Sequence, residues 1–245
     1  MKLSRILSNR NGVSRRQANF LIASGRVAVN GVTCRNPATE VDRFSSVHVD
    51  NKILQTAEPC HYLMLHKPAG FLSATLDDTH RTVMELIAPD LRADLHIAGR
   101  LDRASTGLLV LTNDGRWSRQ LTEPRIKIPK VYRVSTAHPI SPETTHRFAE
   151  GIWFEFEQLK TSPAQLDLLG PTEARLTIYE GRYHQVKRMF HAVGNRVTAL
   201  HRERMGSITL DEKLAEGEYR PLTPEEIRLT SDGTETESSN LATLP

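Results

Sequence analysis

GRLDRASTGLLVLTNDG, Gly99 to Gly115, is the stretch from which the rest of the chain can be read. Leu108 to Leu111 is a short continuous apolar run, the pattern of an interior strand, and Thr112-Asn113-Asp114-Gly115 supplies turn chemistry behind it. The segment therefore passes from loop to buried strand to turn. Asp102 falls at the loop's rim between Arg100 and Arg103, where neighbouring cations keep a carboxylate ionised and fit to act as nucleophile or base towards an anionic substrate. Asp114 could in principle pair with Asp102 as in a glycosidase, but Asp114-Gly115 reads better as a turn.

Outward from this segment, composition sets the limits. The chain has 245 residues, 38% hydrophobic and 25% charged, enough for one large or two ordinary domains with a sizeable core. No run approaches the roughly 18 apolar residues of a membrane span, and the N-terminus lacks the apolar core of a secretory signal, so a cytoplasmic location without membrane contact is expected. Cys34 and Cys60 are too few for a disulfide framework and wrongly spaced for zinc. His184 and His191 lie seven apart without a carboxylate or cysteine partner in sequence, so no metal is expected. Neither GxxxxGK[ST] nor GxGxxG occurs, which leaves nucleotide-driven and dinucleotide chemistry without support. The net charge of +3 is unevenly spread: Met1 to Asn36 carries seven basic residues and no acid, and Asp211 to the end carries nine acids against three bases. A basic head before a neutral body suits a module that binds phosphate.

Residues 1–58 read as a small unit. Leu3, Ile6 and Leu7 have helical spacing, Asn11-Gly12 stops that helix, and Ser14 with Gln17 forms a capping-box signal for a second one carrying Ala18, Leu21 and Ile22. Gly25 ends it, and Val27, Val29, Asn30-Gly31 and Val32 read as a hairpin. Arg15, Arg16 and Arg26 then flank the second helix, within reach of a phosphate backbone. A polar link over Leu54 to Cys60 precedes a larger unit, 61–230. Its strands are expected at 62–65, 130–134, 152–156 and 174–179, and its helices at 82–87, 116–121, 142–150, 184–193 and 224–229, with Gly194 closing the fourth. These elements do not alternate regularly enough for a doubly wound parallel sheet, so an α+β architecture with a mixed, mostly antiparallel sheet is expected. Residues 231–245, rich in Ser, Thr and Glu, read as a disordered acidic tail.

Tyr132 lies in the alternating run KVYRV with Lys130 and Val134 on the same face, where its ring can stack on a base. Arg182, Lys187 and Arg188 make a basic helix start in EGRYHQVKRMF, Glu180 to Phe190.

That motif, with YLMLHKPAG (Tyr62 to Gly70), the Asp102 loop, the Tyr132 strand, LHRERMGSITL (Leu200 to Leu210) and the basic N-terminal unit, resembles the RsuA family of pseudouridine synthases over nearly the whole chain. The resemblance implies an S4-type RNA-binding domain followed by a pseudouridine synthase catalytic domain. It implies an isomerase that needs no cofactor and converts a specific uridine, U516 of 16S rRNA, in that RNA or a small-subunit assembly intermediate. A monomer is expected. Asp102 matches the family's essential aspartate, whether it attacks C1′, adds to the base or removes the C2′ proton. Lys187 matches the cation paired with it, and Tyr132 the tyrosine that covers the flipped base and can take the C5 proton. Arg100 is the wedge that fills the gap left by an extruded nucleotide, or a phosphate clamp. Lys130, Arg182, His184, Gln185 and Arg188 are expected along the RNA-facing edge. Ser105 stands where threonine is common and retains the hydroxyl. A sister synthase acting on large-subunit RNA and a non-catalytic ribosome-assembly protein are the alternatives; LHRERMGSITL and the compact N-terminal unit favour the small-subunit enzyme.

Overall fold

The computed structural model of the protein describes residues 1–10 and 12–232, with backbone alone for 229–232. The chain forms two units, Met1–Cys60 and the part from His61 onward. In the first, helix α1 (Leu3–Arg10) buries Leu3, Ile6 and Leu7, and α2 (Arg15–Ala23) buries Ala18 and Ile22. Ser14 caps α2 with the reciprocal Gln17 bond of a capping box. Strands β1 (Val27–Val29) and β2 (Val32–Thr33) are joined through Asn30 and Gly31, both at positive φ (50° and 78°), the left-handed pair that a two-residue hairpin turn requires. A second hairpin that the sequence reading omitted, β3 (Val47–Val49) and β4 (Lys52–Gln55), completes a sheet ordered β2-β1-β3-β4. The link expected from Leu54 therefore begins later, because Leu54 and Gln55 still belong to β4. Of the expected Asn11-Gly12 stop, Asn11 lies outside the described residues.

The second unit is built on one nine-stranded mixed sheet. In chain order it contains β5 (Tyr62–Lys67), a 3₁₀ turn at Val83–Leu86, α3 (Pro89–Arg92), β6 (His96–Ala98), β7 (Thr106–Thr112), α4 (Gly115–Thr122), a 3₁₀ turn at Pro124–Ile126, β8 (Lys130–Thr136), α5 (Glu143–Glu150), the small hairpin β9 (Trp153–Phe154) and β10 (Leu159–Lys160), β11 (Gln165–Leu168), β12 (Glu173–Ile178), α6 (Gln185–Ala192), β13 (Val197–Met205), β14 (Ile208–Thr209), β15 (Tyr219–Pro221) and α7 (Pro224–Asp232). The main order is β11-β12-β8-β13-β7-β5-β15, antiparallel except where β13 runs parallel to β7. The architecture is α+β.

Strand β7 explains the apolar run. Leu109 and Leu111 enter the core on one face with Phe148, Met189 and Phe190, while Leu108 and Val110 enter a second core with Trp117, Leu121 and Met205 on the other. A strand buried on both faces shows no polar alternation. Asp114 caps α4, accepting from the Arg116 and Trp117 amides, and so has a structural role. Gly194 follows α6 at φ +78°. Two expected elements are shorter: 82–87 is only a 3₁₀ turn, and 152–156 narrows to Trp153–Phe154 because the chain reverses through Gln158 at φ 51°. The tail expected at 231–245 falls outside the described residues except for Ser231 and Asp232, which close α7.

Candidate active site

The loop that leads into β7 is fixed through its backbone. Arg202 of β13, 2% exposed, donates Nη2 to the Gly99 carbonyl (2.7 Å), Nη1 to that of Arg100 (3.4 Å) and Nε to that of Leu108 (2.8 Å). The Ser73 hydroxyl donates to the Leu101 carbonyl (2.8 Å) and accepts from the Leu101 amide (3.1 Å). Lys67, fully buried at the end of β5, donates Nζ to the carbonyls of Pro68 (2.9 Å), Arg103 (3.3 Å) and Ser105 (2.8 Å). Its burial pushes the ammonium pKa down to about 8, against the pull of nearby Asp102. Gly107 makes this arrangement possible. Its φ is +104°, and a Cβ there would overlap the Arg202 carbonyl oxygen and come within 2.6 Å of the Arg202 nitrogen, so only glycine lets β13 lie this close to β7.

On this anchored backbone the Asp102 side chain is one-quarter exposed and meets two basic groups of α6 and its cap. Lys187 Nζ lies 2.8 Å from Oδ2, and His184 Nε2 lies 3.4 Å from Oδ1. His184 occupies the left-handed region at the N-cap position of α6 (φ 50°, ψ 30°), sparsely populated by residues other than glycine. Tyr132, 8% exposed, lines the same cleft from β8. Cross-strand registry sets its place: Tyr132 pairs with Arg202, and Arg202 pairs with Gly107. The cleft also holds Ser105, whose hydroxyl is buried and has no hydrogen-bond partner among the described residues. A carboxylate with a basic group at each oxygen, beside an aromatic ring in an open cleft, can take a proton or attack carbon next to a planar base.

The remaining expected residues divide. Arg100 is exposed at the cleft, and Arg182 lines it while pairing with Glu180 (3.1 Å). Arg103 does not flank the Asp102 carboxylate; its Nε donates to the Gly70 carbonyl (3.2 Å). Gln185 lines the cleft but is 3% exposed, and its amide group braces the preceding loop, accepting from the Arg182 amide and donating to Glu180 (both 2.9 Å). Arg188 ion-pairs with Glu157 and lies over the Phe154 ring at 3.8 Å, so its fork is occupied within the protein. Lys130 faces inward rather than towards RNA: it is 7% exposed, donates to the Ile128 carbonyl (2.9 Å), and burial pushes its pKa down to about 8. In the N-terminal unit, Arg15 lines a hollow with Lys2 and Arg5, Arg16 is exposed, and Arg26 is held by Asp50. Among the described residues no group of three or more His, Cys, Asp or Glu is placed to hold a metal ion.

Residues 61–192 match the RNA pseudouridylate synthase family, and residues 1–47 match the S4 domain. The chain belongs to the RNA pseudouridylate synthase family. It is 53% identical over 227 residues to the ribosomal small subunit pseudouridine synthase A of Pseudomonas aeruginosa, spanning 93% of this chain and 99% of that one. The protein of the same name from Escherichia coli K12 is 46% identical over 227 residues, spanning 93% and 98%. A solved pseudouridylate synthase is 39% identical with a TM-score of 0.69, covering 94% of this chain and 99% of the other. This pseudouridine synthase is therefore an RNA-modifying isomerase with an N-terminal S4 domain. What sequence reasoning missed in it is the buried scaffold of Arg202, Lys67 and Ser73. A signal was present for Arg202, since the glycine of STGLLV admits a close backbone neighbour.

Proposed function

We propose that this pseudouridine synthase converts U516 of 16S rRNA to pseudouridine, acting as a monomer in the cytoplasm on free RNA or a small-subunit assembly intermediate. The observation that carries the chemistry is the ion pair of Asp102 and Lys187 at 2.8 Å in a cleft shared with Tyr132. Relatives named for the small subunit at 44–53% identity over 93% of the chain support a small-subunit RNA as the substrate; U516 within it is the site the resemblance implies.

In this reaction the bond from ribose C1′ to N1 breaks, the uracil turns, C1′ bonds to C5, the C5 proton leaves and N1 gains one, with no change of oxidation state. No cofactor is called for. Asp102 acts at the sugar or the base while Lys187 holds its carboxylate in place. Tyr132 covers the base during its rotation and stands ready to take the C5 proton. Arg100 fills the space left in the RNA stack, where extrusion costs a few kcal/mol that protein contacts offset. Arg182 and His184 guide RNA at the cleft. The S4 unit, residues 1–58, recruits RNA through Arg15 and Arg16 with Lys2 and Arg5 beside them, ahead of a catalytic domain over 61–230.

The test is chemical mapping of pseudouridine in ribosomal RNA from cells lacking this gene, complemented with wild type or Asp102→Asn. Loss at U516 that only wild type restores is expected. Modification that persists at U516 in the deletion strain, or a loss confined to another site, overturns the target assignment; restoration by Asp102→Asn overturns the catalytic one.

A further inference from the structure

The loop that presents His184 to Asp102 ends in a side chain that the chemistry above does not use. Tyr183 is 77% exposed, and among the large hydrophobic side chains of the described residues only Leu76 and Phe156 are more so. It adds nothing to the core. Yet its ring is held: it stacks on the His184 imidazole with centroids 3.9 Å apart and planes 21° from parallel. His184 in turn lies 3.4 Å from Asp102, and its left-handed backbone sets the direction in which the two adjacent rings are displayed. The Tyr183 carbonyl accepts from Arg188 (3.4 Å), whose guanidinium is itself fixed by Glu157, so the loop is pinned from behind. Arg182, on the other side of Tyr183, lines the cleft.

An exposed aromatic ring with one face covered and the other open, on a residue between two that line a cleft, is the geometry on which proteins stack bases of single-stranded RNA. Stacking tolerates any base because each has a π-face. Extruding a uridine into the Asp102 cleft breaks its stack with the neighbouring nucleotide, which then needs a new surface. We propose that the open face of Tyr183 takes the base of a nucleotide adjoining the target uridine and so holds the strand open while the uridine occupies the cleft. The proposal rests on the RNA-modifying reading above and names a contact outside the reacting atoms.

The test is a thermodynamic cycle between protein and substrate. Wild type, Tyr183→Phe, Tyr183→Leu and Tyr183→Ala are assayed for pseudouridine formation on synthetic RNAs spanning the mapped uridine, either intact or with an abasic residue at one flanking position at a time. Wild-type turnover on the intact RNA is read first; its absence refutes the enzymatic reading rather than this one. Tyr183→Ala and Tyr183→Leu should raise KM by about 5- to 150-fold, the range for one lost base–aromatic stack, with kcat nearly unchanged, and Tyr183→Phe should match wild type. An abasic residue at the stacked position should raise KM for wild type by a similar factor and leave Tyr183→Ala unaffected. Additive effects of ring and base at every flanking position overturn the proposal. So does a fall in kcat with KM unchanged, which would mean that the ring acts only through His184 on Asp102. A Tyr183→Ala defect seen on ribosomal protein-bound particles but not on naked RNA would place a protein on this face instead, and also overturns it.

Discussion

Replacing Lys67 by methionine removes a buried ammonium while retaining most of the side-chain volume, and the outcome can be worked from the geometry. Burial lowers the Lys67 pKa from 10.5 to about 8, outweighing the opposing charge of Asp102. A lysine with a lower pKa folded than unfolded binds fewer protons in the folded state between the two values. Its penalty is therefore full below about pH 8, and stability rises as the pH climbs towards 10.5. Near mid-window the two states differ by almost one proton, which gives a slope of about 1.2 kcal/mol per pH unit and about 3 kcal/mol in all. Lys130 is displaced in the same direction and over the same window, also chiefly by burial. Wild type should thus gain about 2.4 kcal/mol per pH unit across it, and Lys67→Met about half of that. Urea unfolding at several pH values between 7.5 and 10.5, followed by tryptophan fluorescence, measures the slope. Both tryptophans, Trp117 and Trp153, belong to the catalytic unit, so the signal reports that unit alone. Equal slopes in the two proteins would refute the reasoning. At pH 7 the variant escapes the desolvation cost but strands the Pro68 and Ser105 carbonyls, at about 1–3 kcal/mol each, while the Arg103 carbonyl keeps the Gly70 amide at 2.8 Å. Stability should change by no more than about 3 kcal/mol in either direction, whereas turnover should fall by about 10²-fold because the Asp102 loop loses two anchors.

Lys187→Met should lower kcat by about 10²- to 10³-fold with little change in RNA binding, and Lys187→Arg should recover part of it; single-turnover rates and filter binding separate the two quantities. Gly107→Ala forces a Cβ into the Arg202 backbone at φ +104°, so a loss above about 4 kcal/mol is expected, seen as insoluble or unfolded protein. Tyr132→Phe keeps the ring and removes the hydroxyl: if the hydroxyl takes the C5 proton, product should stall after base detachment, while Tyr132→Ala should lose the earlier step as well. Normal rates with Tyr132→Phe would leave the ring as the residue's whole contribution.

The parts of the fold that were legible in the sequence are those decided by local chemistry. The capping box of Ser14, the positive-φ pair Asn30-Gly31 and the doubly buried Leu108 to Leu111 each need only a few neighbouring residues to specify them. The misread parts are those where tertiary contacts override the local pattern. At nine residues β13 is the longest strand described, yet VTALHRERM shows no apolar alternation, because one of its inward positions is the buried Arg202. Lys130 alternates correctly with Tyr132, but it is buried and its Nζ donates back to the Ile128 carbonyl, so that end of the shared face is closed to an outside partner. Arg188 and Gln185 sit in the same motif as Lys187 and were expected to meet RNA. Gln185 does line the cleft, but its amide is engaged by Glu180 and the Arg182 backbone, and the Arg188 fork is engaged by Glu157, so both polar groups already have partners within the protein. The Asp102–Lys187 pairing is legible only through the resemblance; by charge alone an exposed basic helix face is the better reading of Arg182, Lys187 and Arg188.

The scaffold and the cleft divide their cations by kind of partner. Arg202 and Lys67, both buried, direct their hydrogen bonds to backbone carbonyls of the catalytic segment and its flanks, whereas Lys187 and His184, at the surface, meet the carboxylate itself. The difference matters for an enzyme that must detach and reattach the same base. Carbonyl contacts fix where the Asp102 Cα lies without touching its carboxylate, so the backbone is held by bonds separate from those that hold the side chain, although the Lys67 ammonium still feels the Asp102 charge. Surface contacts do depend on that charge and can loosen or reform as the reaction proceeds. Two buried cations that form no ion pair with a carboxylate among the described residues are costly, and a loop required only for packing would be held at less cost by apolar residues. Their presence beneath Asp102 is accounted for if the reaction needs the aspartate's backbone held to within about 0.5 Å while its side chain changes state.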